Sequence, residues 1–479
     1  MYLIIILLFN LYKLTGIIVL YNIKKTYNNH FLYNKHNTFL TELPKITQKS
    51  SDFKILNSPK EFNYVLLNTI SQAHKHICLV TLYLENDPGG KKILDTILEV
   101  KKNRPTIKIN IIVDWYRAQR TRFGESIKYT NIHWYNNIIQ NNPNIELSIF
   151  GLPIHFSEIL GVLHLKGFII DDTILYSGAN LNNEYLHIND KYRYDRYYFI
   201  KNAQLSAIML NYIEKNLINS KVIHNLDYKK SFLKKNNKNN IRLFRKFLKR
   251  TTYTYQNNAN FNECSIIPLV GLGKNSILNK TIYHLISSVK QNMILCTPYF
   301  NIPYSLNRVL YSLLQQGKTV EIIVGDKTAN DFYTPYQEYK SFKLINVLPY
   351  LYEINLRLFI QKLQNYIDNK QLIVRIWKKD HHGYHIKGIW IDDEWNLLTG
   401  SNLNPRSLKL DLENALLIHD PCHELIHQKY QELTQIRVFT KIITHYTSLQ
   451  NISEYPVKIK RLILRIRKIK FDKLINQLL

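Results

Sequence analysis

His164-Leu165-Lys166-Gly167-Phe168-Ile169-Ile170-Asp171, followed by Tyr176-Ser177-Gly178-Ala179-Asn180, returns 221 residues later as His385-Ile386-Lys387-Gly388-Ile389-Trp390-Ile391-Asp392, followed by Thr399-Gly400-Ser401-Asn402. Each copy reads as a strand, a turn at an Asp-Asp pair and a return strand. Residues two apart on an extended chain share a face, so His164 lies beside Lys166 and His385 beside Lys387. The return strand, Ile174-Leu175 in one copy and Trp395 to Leu398 in the other, brings a small residue and an asparagine next to that pair. One His-x-Lys on a strand is no more than an exposed basic pair. Two copies, each with Asp at plus seven and a Gly-x-Asn beyond, are an internal repeat.

The flanks repeat too. Ile77 to Leu84 reads as a strand, Lys91 to Lys102 has helical periodicity, and Ile107 to Val113 is a second strand ending in Asp114-Trp115-Tyr116-Arg117. The later counterpart is Met293 to Pro298, a helix around Leu306 to Gln316, and Val320 to Val324 ending in Gly325-Asp326-Lys327. Short apolar runs alternating with helices indicate α/β layers over buried sheets. A chain of 479 residues suits two such domains.

Composition narrows the class. With 45% hydrophobic and 21% charged residues the chain can bury real cores, and disorder is excluded. A formal charge of +28 calls for polyanions, whether nucleic acid, an anionic membrane face or a phosphate-rich substrate. Four scattered cysteines, Cys78, Cys264, Cys296 and Cys422, form no CxxC pair and read as reduced thiols, with neither disulfides nor zinc. Residues 2 to 21 are apolar, but Asn10 and Lys13 interrupt them, and a lysine near the bilayer centre costs ~2.5–3.5 kcal/mol. Residues 1 to 30 are therefore expected to be an extension outside the catalytic fold, with a membrane anchor as the less favoured reading.

The repeated residues suit phosphodiester exchange. A neutral imidazole can attack phosphorus, a second can protonate the departing oxygen, and lysines with amide donors can neutralise the phosphoryl oxygens. Histidine suits both roles because its ordinary pKa is near 6.5. His155, His187, His381, His382 and His419 lack this context and read as surface or packing residues.

The doubled His-x-Lys-x4-Asp pattern resembles the phospholipase D superfamily and, within it, the bacterial serine phosphatidyltransferases that use CDP-diacylglycerol. The matching blocks are Leu43 to Ile46, Tyr83 to Glu85 with Gly89-Gly90, Val113 to Arg120, Lys191 to Tyr197, Val324 to Phe332, Leu348 to Arg357 and Thr399 to Asn414, spanning nearly everything from Phe39 onward. The resemblance implies two phospholipase D-like α/β domains with mixed sheets flanked by helices, related by a pseudo-twofold axis with the active site between them. The expected bounds are 31–215 and 259–450, joined by a basic linker and helix at 216–258 and followed by a basic amphipathic helix at 451–479.

It further implies transfer of the phosphatidyl group of CDP-diacylglycerol to L-serine with release of CMP, without metal or other cofactor. By analogy His164 is the nucleophile and His385 the acid, then the base. Lys166, Lys387, Asn180 and Asn402 hold phosphoryl oxygens, Asp171 and Asp392 belong to the catalytic motifs as structural or orienting groups, and Glu413 orients the opposite histidine. Nine residues separate Asp171 from Asn180 and ten separate Asp392 from Asn402, which leaves Asn180 less secure than Asn402. No residue is singled out for selecting serine.

A cardiolipin synthase or hydrolytic phospholipase D shares the motifs. An HKD-type nuclease or nucleic-acid-binding protein also accounts for the charge, although no nucleic-acid module is recognisable and no specific nucleic-acid partner is expected. The amphiphilic substrate implies a cytoplasmic enzyme on the anionic inner face of the cell membrane; oligomeric state is not legible. Ile459, Leu462, Ile463, Ile466 and Ile469 recur at helical spacing among lysines and arginines. That pattern fits either an in-plane helix on lipid or a terminal helix docked on its own domain.

Overall fold

The computed structural model describes residues 35–120, 130–226, 238–260, 262–335 and 344–478. The apolar run at 2 to 21 lies outside them, as does most of the Lys/Asn-rich stretch at 234 to 238.

Two mixed sheets carry the fold. Across the first, the strands run His224–Asn225, Ser148–Leu152, Lys108–Asp114, His76–Thr81, Phe168–Ile170, Thr173–Ser177, Tyr197–Lys201 and Phe53–Leu56. Across the second they run Thr440–Ile443, Leu372–Trp377, Thr319–Gly325, Asn292–Thr297, Gly388–Ile391, Trp395–Thr399, Leu412–His419, Ser265–Leu272 and Ile46–Thr47. The order is the same strand for strand, with one extra edge strand on the second sheet. In each, three parallel strands meet an antiparallel hairpin at the sheet centre.

The local causes are visible. Ile77, Leu79, Ile111, Val113, Leu295 and Ile322 are buried with no exposed surface, as central strands covered on both faces require. Helix Pro88–Asn103 starts at Asp87, whose carboxylate accepts the Gly90 N–H, with Pro88 in the first turn. The strands and helices read from the sequence form within a few residues of their expected bounds, the second-half helix spanning Tyr304–Gln315.

The lobes are not sequentially clean. Ile46–Thr47 pairs with Ser265–Leu272 in the second sheet, and His224–Asn225 extends the first sheet beyond residue 215. One hydrophobic core joins Cys78, Ile169, Tyr176 and Tyr198 of the first lobe to Val270, Leu398, Leu416 and Ile418 of the second. Helix Lys238–Leu248 docks Ile241, Phe244 and Leu248 into that same core. Burial of this shared surface fixes how the lobes face one another.

Helix Val457–Lys468 resolves the choice left open for the C-terminus. Ile459, Ile463 and Ile466 are buried against Tyr350, Leu351 and Ile354, so its apolar stripe is occupied by the protein's own second lobe. Lys458, Arg461, Arg465, Arg467 and Lys468 remain outward. No helix among the described residues is long and apolar enough to cross a membrane. All four cysteines are free, and Cys78, Cys264 and Cys296 are buried.

Candidate active site

The hairpins that carry the two motifs are pinned at their turns. Asp171 accepts the backbone N–H groups of His74, Lys75 and His76 at 2.7, 2.8 and 2.9 Å. Asp392 takes those of Lys290, Gln291 and Asn292 at 2.6, 2.8 and 2.9 Å. Both aspartates have positive φ, 49° and 51°, at the point where the chain reverses. Their carboxylates are thus spent on backbone N–H groups at the start of a neighbouring strand. Each ties its hairpin to the start of its central strand, a contact of the structural kind that the resemblance allowed.

The hairpin registers also explain the one-residue difference in motif length. Ile170 pairs with Thr173, leaving a two-residue turn, whereas Ile391 pairs with Trp395, leaving three. The extra residue is spent in the turn, so Ser177-Gly178-Ala179-Asn180 and Thr399-Gly400-Ser401-Asn402 end their strands equivalently. Ser177 Oγ accepts the Ala179 N–H and Thr399 Oγ1 the Ser401 N–H, one bend repeated in both lobes. Asn180 keeps the position that its spacing had put in doubt.

The His-x-Lys segments leave their own sheets and pair across the lobe boundary. The His164 N–H donates to the Leu412 carbonyl and the Leu412 N–H to the Val162 carbonyl, each at 3.0 Å. The His385 N–H donates to the Tyr194 carbonyl at 2.8 Å, continuing the short parallel pair of Gly383–Tyr384 with Arg193–Tyr194. Gly167, at φ +104°, supplies the backbone conformation by which the first segment turns back into its sheet.

This crossed pairing delivers a carboxylate to each imidazole. Glu413, one residue past Leu412, lies 2.9 Å from His164 Nδ1, as the sequence reading expected. Asp195, one residue past Tyr194, lies 2.7 Å from His385 Nδ1 and 3.2 Å from Lys387 Nζ. The next residues brace the opposite motif: Asn414 brackets Lys166 through its N–H and carbonyl, both at 2.8 Å, and Arg196 donates to the Lys387 carbonyl at 3.3 Å. Asp195 was not foreseen. The repeat itself could have shown it, because a carboxylate opening the next strand after the Gly-x-Asn block recurs in both halves.

The lysines and asparagines complete the set. Lys166 Nζ donates to Asn180 Oδ1 at 2.6 Å, and Lys387 Nζ also contacts His385 Nδ1. Asn402 Oδ1 is buried with no hydrogen-bond partner among the described residues. Glycines permit the close approach: a Cβ on Gly400 would stand 2.5 Å from Lys166 Cγ, and one on Gly178 2.7 Å from Asp195 Oδ2. Tyr185 Oη stands 3.1 Å from His385 Nε2 and 3.3 Å from Nδ1, so it faces the Cε1 edge of that ring.

Electrostatics follow from crowding buried cations. Burial, then Lys166 and Lys387, holds the His164 imidazole well below its ordinary range. Burial and Lys387 bring His385 down to about 4, Asp195 pulling the other way. Burial and Lys387 lower the Lys166 ammonium to about 7. Burial alone would lift the Asp195 carboxyl, but Lys387 and His385 prevail and hold it below the usual range. Burial raises Glu413, with Asp411 adding to it. These influences favour neutral imidazoles, and the tautomer with hydrogen on Nδ1, facing its carboxylate, leaves a lone pair at Nε2. A bound phosphate monoanion would reverse the repulsion and let an imidazole take up a proton. Among the described residues no group of three or more His, Cys, Asp or Glu is arranged to hold a metal ion.

Two like lobes that each bring an imidazole, an ammonium and an asparagine to one cationic site define a class of protein that moves groups between phosphate esters. Comparison with known proteins agrees. Residues 282–437 match the family model for the cardiolipin synthase, PLD-like domain. The CDP-diacylglycerol–serine O-phosphatidyltransferase of Escherichia coli is 51% identical over 94% of this chain and 99% of its own. That of Haemophilus influenzae is 42% identical over 92% and 97%. The crystal structure of the H. influenzae phosphatidylserine synthase superposes with a TM-score of 0.89, covering 93% of this chain and 99% of that one. A more distant relative, 25% identical over 82% of this chain and 83% of its own, is the CDP-diacylglycerol–glycerol-3-phosphate 3-phosphatidyltransferase of Saccharomyces pastorianus. The chain belongs to the CDP-diacylglycerol–serine O-phosphatidyltransferase family, the phosphatidylserine synthases built on the phospholipase D fold.

Proposed function

We propose that this chain is a phosphatidylserine synthase, transferring the phosphatidyl group of CDP-diacylglycerol to L-serine and releasing CMP. The observation that carries this reading is the reciprocal exchange of carboxylates between lobes, Glu413 onto His164 and Asp195 onto His385, in a chain akin to the serine phosphatidyltransferases along almost its whole length.

His385 takes up a proton as the anionic substrate binds; His164 Nε2 then attacks the phosphorus, the P–O bond to CMP breaks, and His385 gives that proton to the leaving oxygen. The phosphatidyl-histidine is then attacked by the serine hydroxyl oxygen. Its proton passes to His385, the N–P bond breaks, and His164 recovers its electron pair. Lys166, Lys387 and the two asparagines offset charge on the phosphoryl oxygens. Asn402, whose side-chain oxygen has no hydrogen-bond partner among the described residues, is suited to turn its amide to a phosphoryl oxygen. The His164 assignment as nucleophile rests on analogy within the superfamily. The catalytic lobes are taken as approximately 31–215 and 259–450, with strands exchanged at their borders.

The lipid substrate implies a peripheral enzyme on the inner face of the cell membrane. The outward basic face of Val457–Lys468 supports contact with anionic lipid through charge instead of an inserted stripe. The deciding experiment incubates the protein with CDP-diacylglycerol in mixed micelles and follows CMP release with serine, glycerol, water or single-stranded DNA as the second substrate. Release that depends on serine is expected; equal release with glycerol or water, or DNA cleavage, would overturn the assignment. With labelled CDP-diacylglycerol, protein-bound label should vanish in His164→Ala and persist in His385→Ala; the opposite pattern exchanges the two roles.

A further inference from the structure

An ion cluster beside His385 takes no part in the chemistry derived above. Arg193 Nε lies 2.7 Å from Glu184 Oε2 and 3.2 Å from Asp331 Oδ1. Arg193 Nη1 donates to Tyr185 Oη at 3.4 Å, and the guanidinium lies 5.0 Å from the Tyr185 ring centroid. Tyr185 in turn touches the His385 ring. Asp331 is also hydrogen-bonded to the Tyr299 hydroxyl. The cluster is built from both lobes: Glu184, Tyr185 and Arg193 come from the first, Asp331 and Tyr299 from the second. Arg193 sits in the short strand pair that positions His385.

The cluster is balanced in charge: Glu184 also meets Lys191 Nζ at 3.6 Å, so two carboxylates face two cations. It sets a carboxylate and a guanidinium side by side, of which a purely anionic phosphatidyl or cytidylyl group can use only the guanidinium. A zwitterion is different. An acceptor whose hydroxyl reaches His385 carries its ammonium and carboxylate only one carbon further on, within the span of Tyr185, Arg193 and Asp331. An Asp–Arg pair can open to receive such a molecule without changing the local charge, the carboxylate turning to the ammonium and the guanidinium to the carboxylate. An acceptor bearing a phosphate and no ammonium, as the name of the S. pastorianus relative specifies, would give Asp331 no counter-charge once its pair with Arg193 opened.

We propose that Asp331 and Arg193 form the acceptor site for the amino acid, Asp331 taking the ammonium of serine and Arg193 its carboxylate, while Tyr185 holds the Cε1 edge of His385 so that Nε2 faces the serine hydroxyl. Glu184 keeps the Arg193 Nε in place when Asp331 swings to its ligand. This rests on the phosphatidylserine synthase reading and names the residues that select its second substrate. The site also couples the two: the proton leaves the serine oxygen for His385 only when both charged arms are held, which disfavours transfer to water.

The test compares kcat/KM for serine, for 3-hydroxypropionate, which lacks the ammonium, and for ethanolamine, which lacks the carboxylate, using CMP release from CDP-diacylglycerol. Loss of a charge-assisted contact corresponds to about a ten- to hundredfold change. Asp331→Asn is expected to shrink the preference for serine over 3-hydroxypropionate by at least tenfold, and Arg193→Gln to do the same for serine over ethanolamine. Unchanged preferences in folded variants overturn the assignment. So does a wild-type protein that uses 3-hydroxypropionate as well as serine, a measurement that needs no variant. CMP release in the wild type that ignores serine altogether would sink the synthase reading itself, and the acceptor site with it.

Discussion

Asp195→Asn isolates the contact on which the second half of the chemistry depends. The side chain is 1% exposed and its Oδ2 serves both His385 Nδ1 and Lys387 Nζ. The substitution preserves shape but lets an amide nitrogen face Nδ1, which favours the imidazole tautomer with hydrogen on Nε2. That tautomer cannot accept the serine proton. It also removes the charge that lifts His385 against burial, so the imidazolium needed to protonate CMP becomes scarcer. In the buried aspartate–histidine pair of serine proteases the same exchange costs about 10⁴ in turnover, or about 5.4 kcal/mol at 1.36 kcal/mol per decade. A fall of about 10³–10⁴ in kcat is therefore expected. The assay is rapid-quench release of labelled CMP from CDP-diacylglycerol at saturating serine, with near-ultraviolet circular dichroism to establish that the lobes remain packed. A folded variant turning over within tenfold of the wild type would refute the tautomer argument and return Asp195 to the status of a buried counter-ion.

Asp171→Ala should behave in the opposite way: losing three N–H partners lowers stability by about 2–4 kcal/mol in urea unfolding, yet turnover per folded molecule stays within about threefold. Acid titration of stability follows from His385, which the folded protein holds near 4 while the unfolded chain titrates near 6.5. Its contribution is whole above about pH 6.5 and drains away as the pH falls toward 4, by up to ~3 kcal/mol; His385→Asn should flatten that slope in urea titrations at stepped pH. Reversing three outward charges with Lys458→Glu, Arg461→Glu and Arg465→Glu should weaken sedimentation with phosphatidylglycerol vesicles at low salt by tenfold or more, while melting stays unchanged because Ile459, Ile463 and Ile466 keep their burial. Removing everything after Tyr455 should instead destabilise the second lobe, since Tyr350, Leu351 and Ile354 would lose their cover.

Local sequence determined the repeat, the hairpins and the pairing of each histidine with its lysine, because two-residue periodicity and turn chemistry act over a few neighbours. The parallel central strands and their helices were legible for the same reason. The resemblance left Asp171 and Asp392 between a structural and an orienting role, because a motif is read along the chain while hydrogen-bond partners such as the His76 and Asn292 N–H groups come from elsewhere in it. The C-terminal stripe was ambiguous because a helix that packs on protein and one that lies on lipid need the same apolar face.

Only the docked lobes decided which carboxylate serves which imidazole. Glu413 meets His164 from 249 residues away and Asp195 meets His385 from 190. The repeat could mark such carboxylates as candidates, but their encounter depends on the core shared by Cys78, Tyr198, Leu398 and Ile418. The same docking sets Asp331 of one lobe against Arg193 of the other. The chain encodes two similar halves; the apolar surface buried between them makes one site of both.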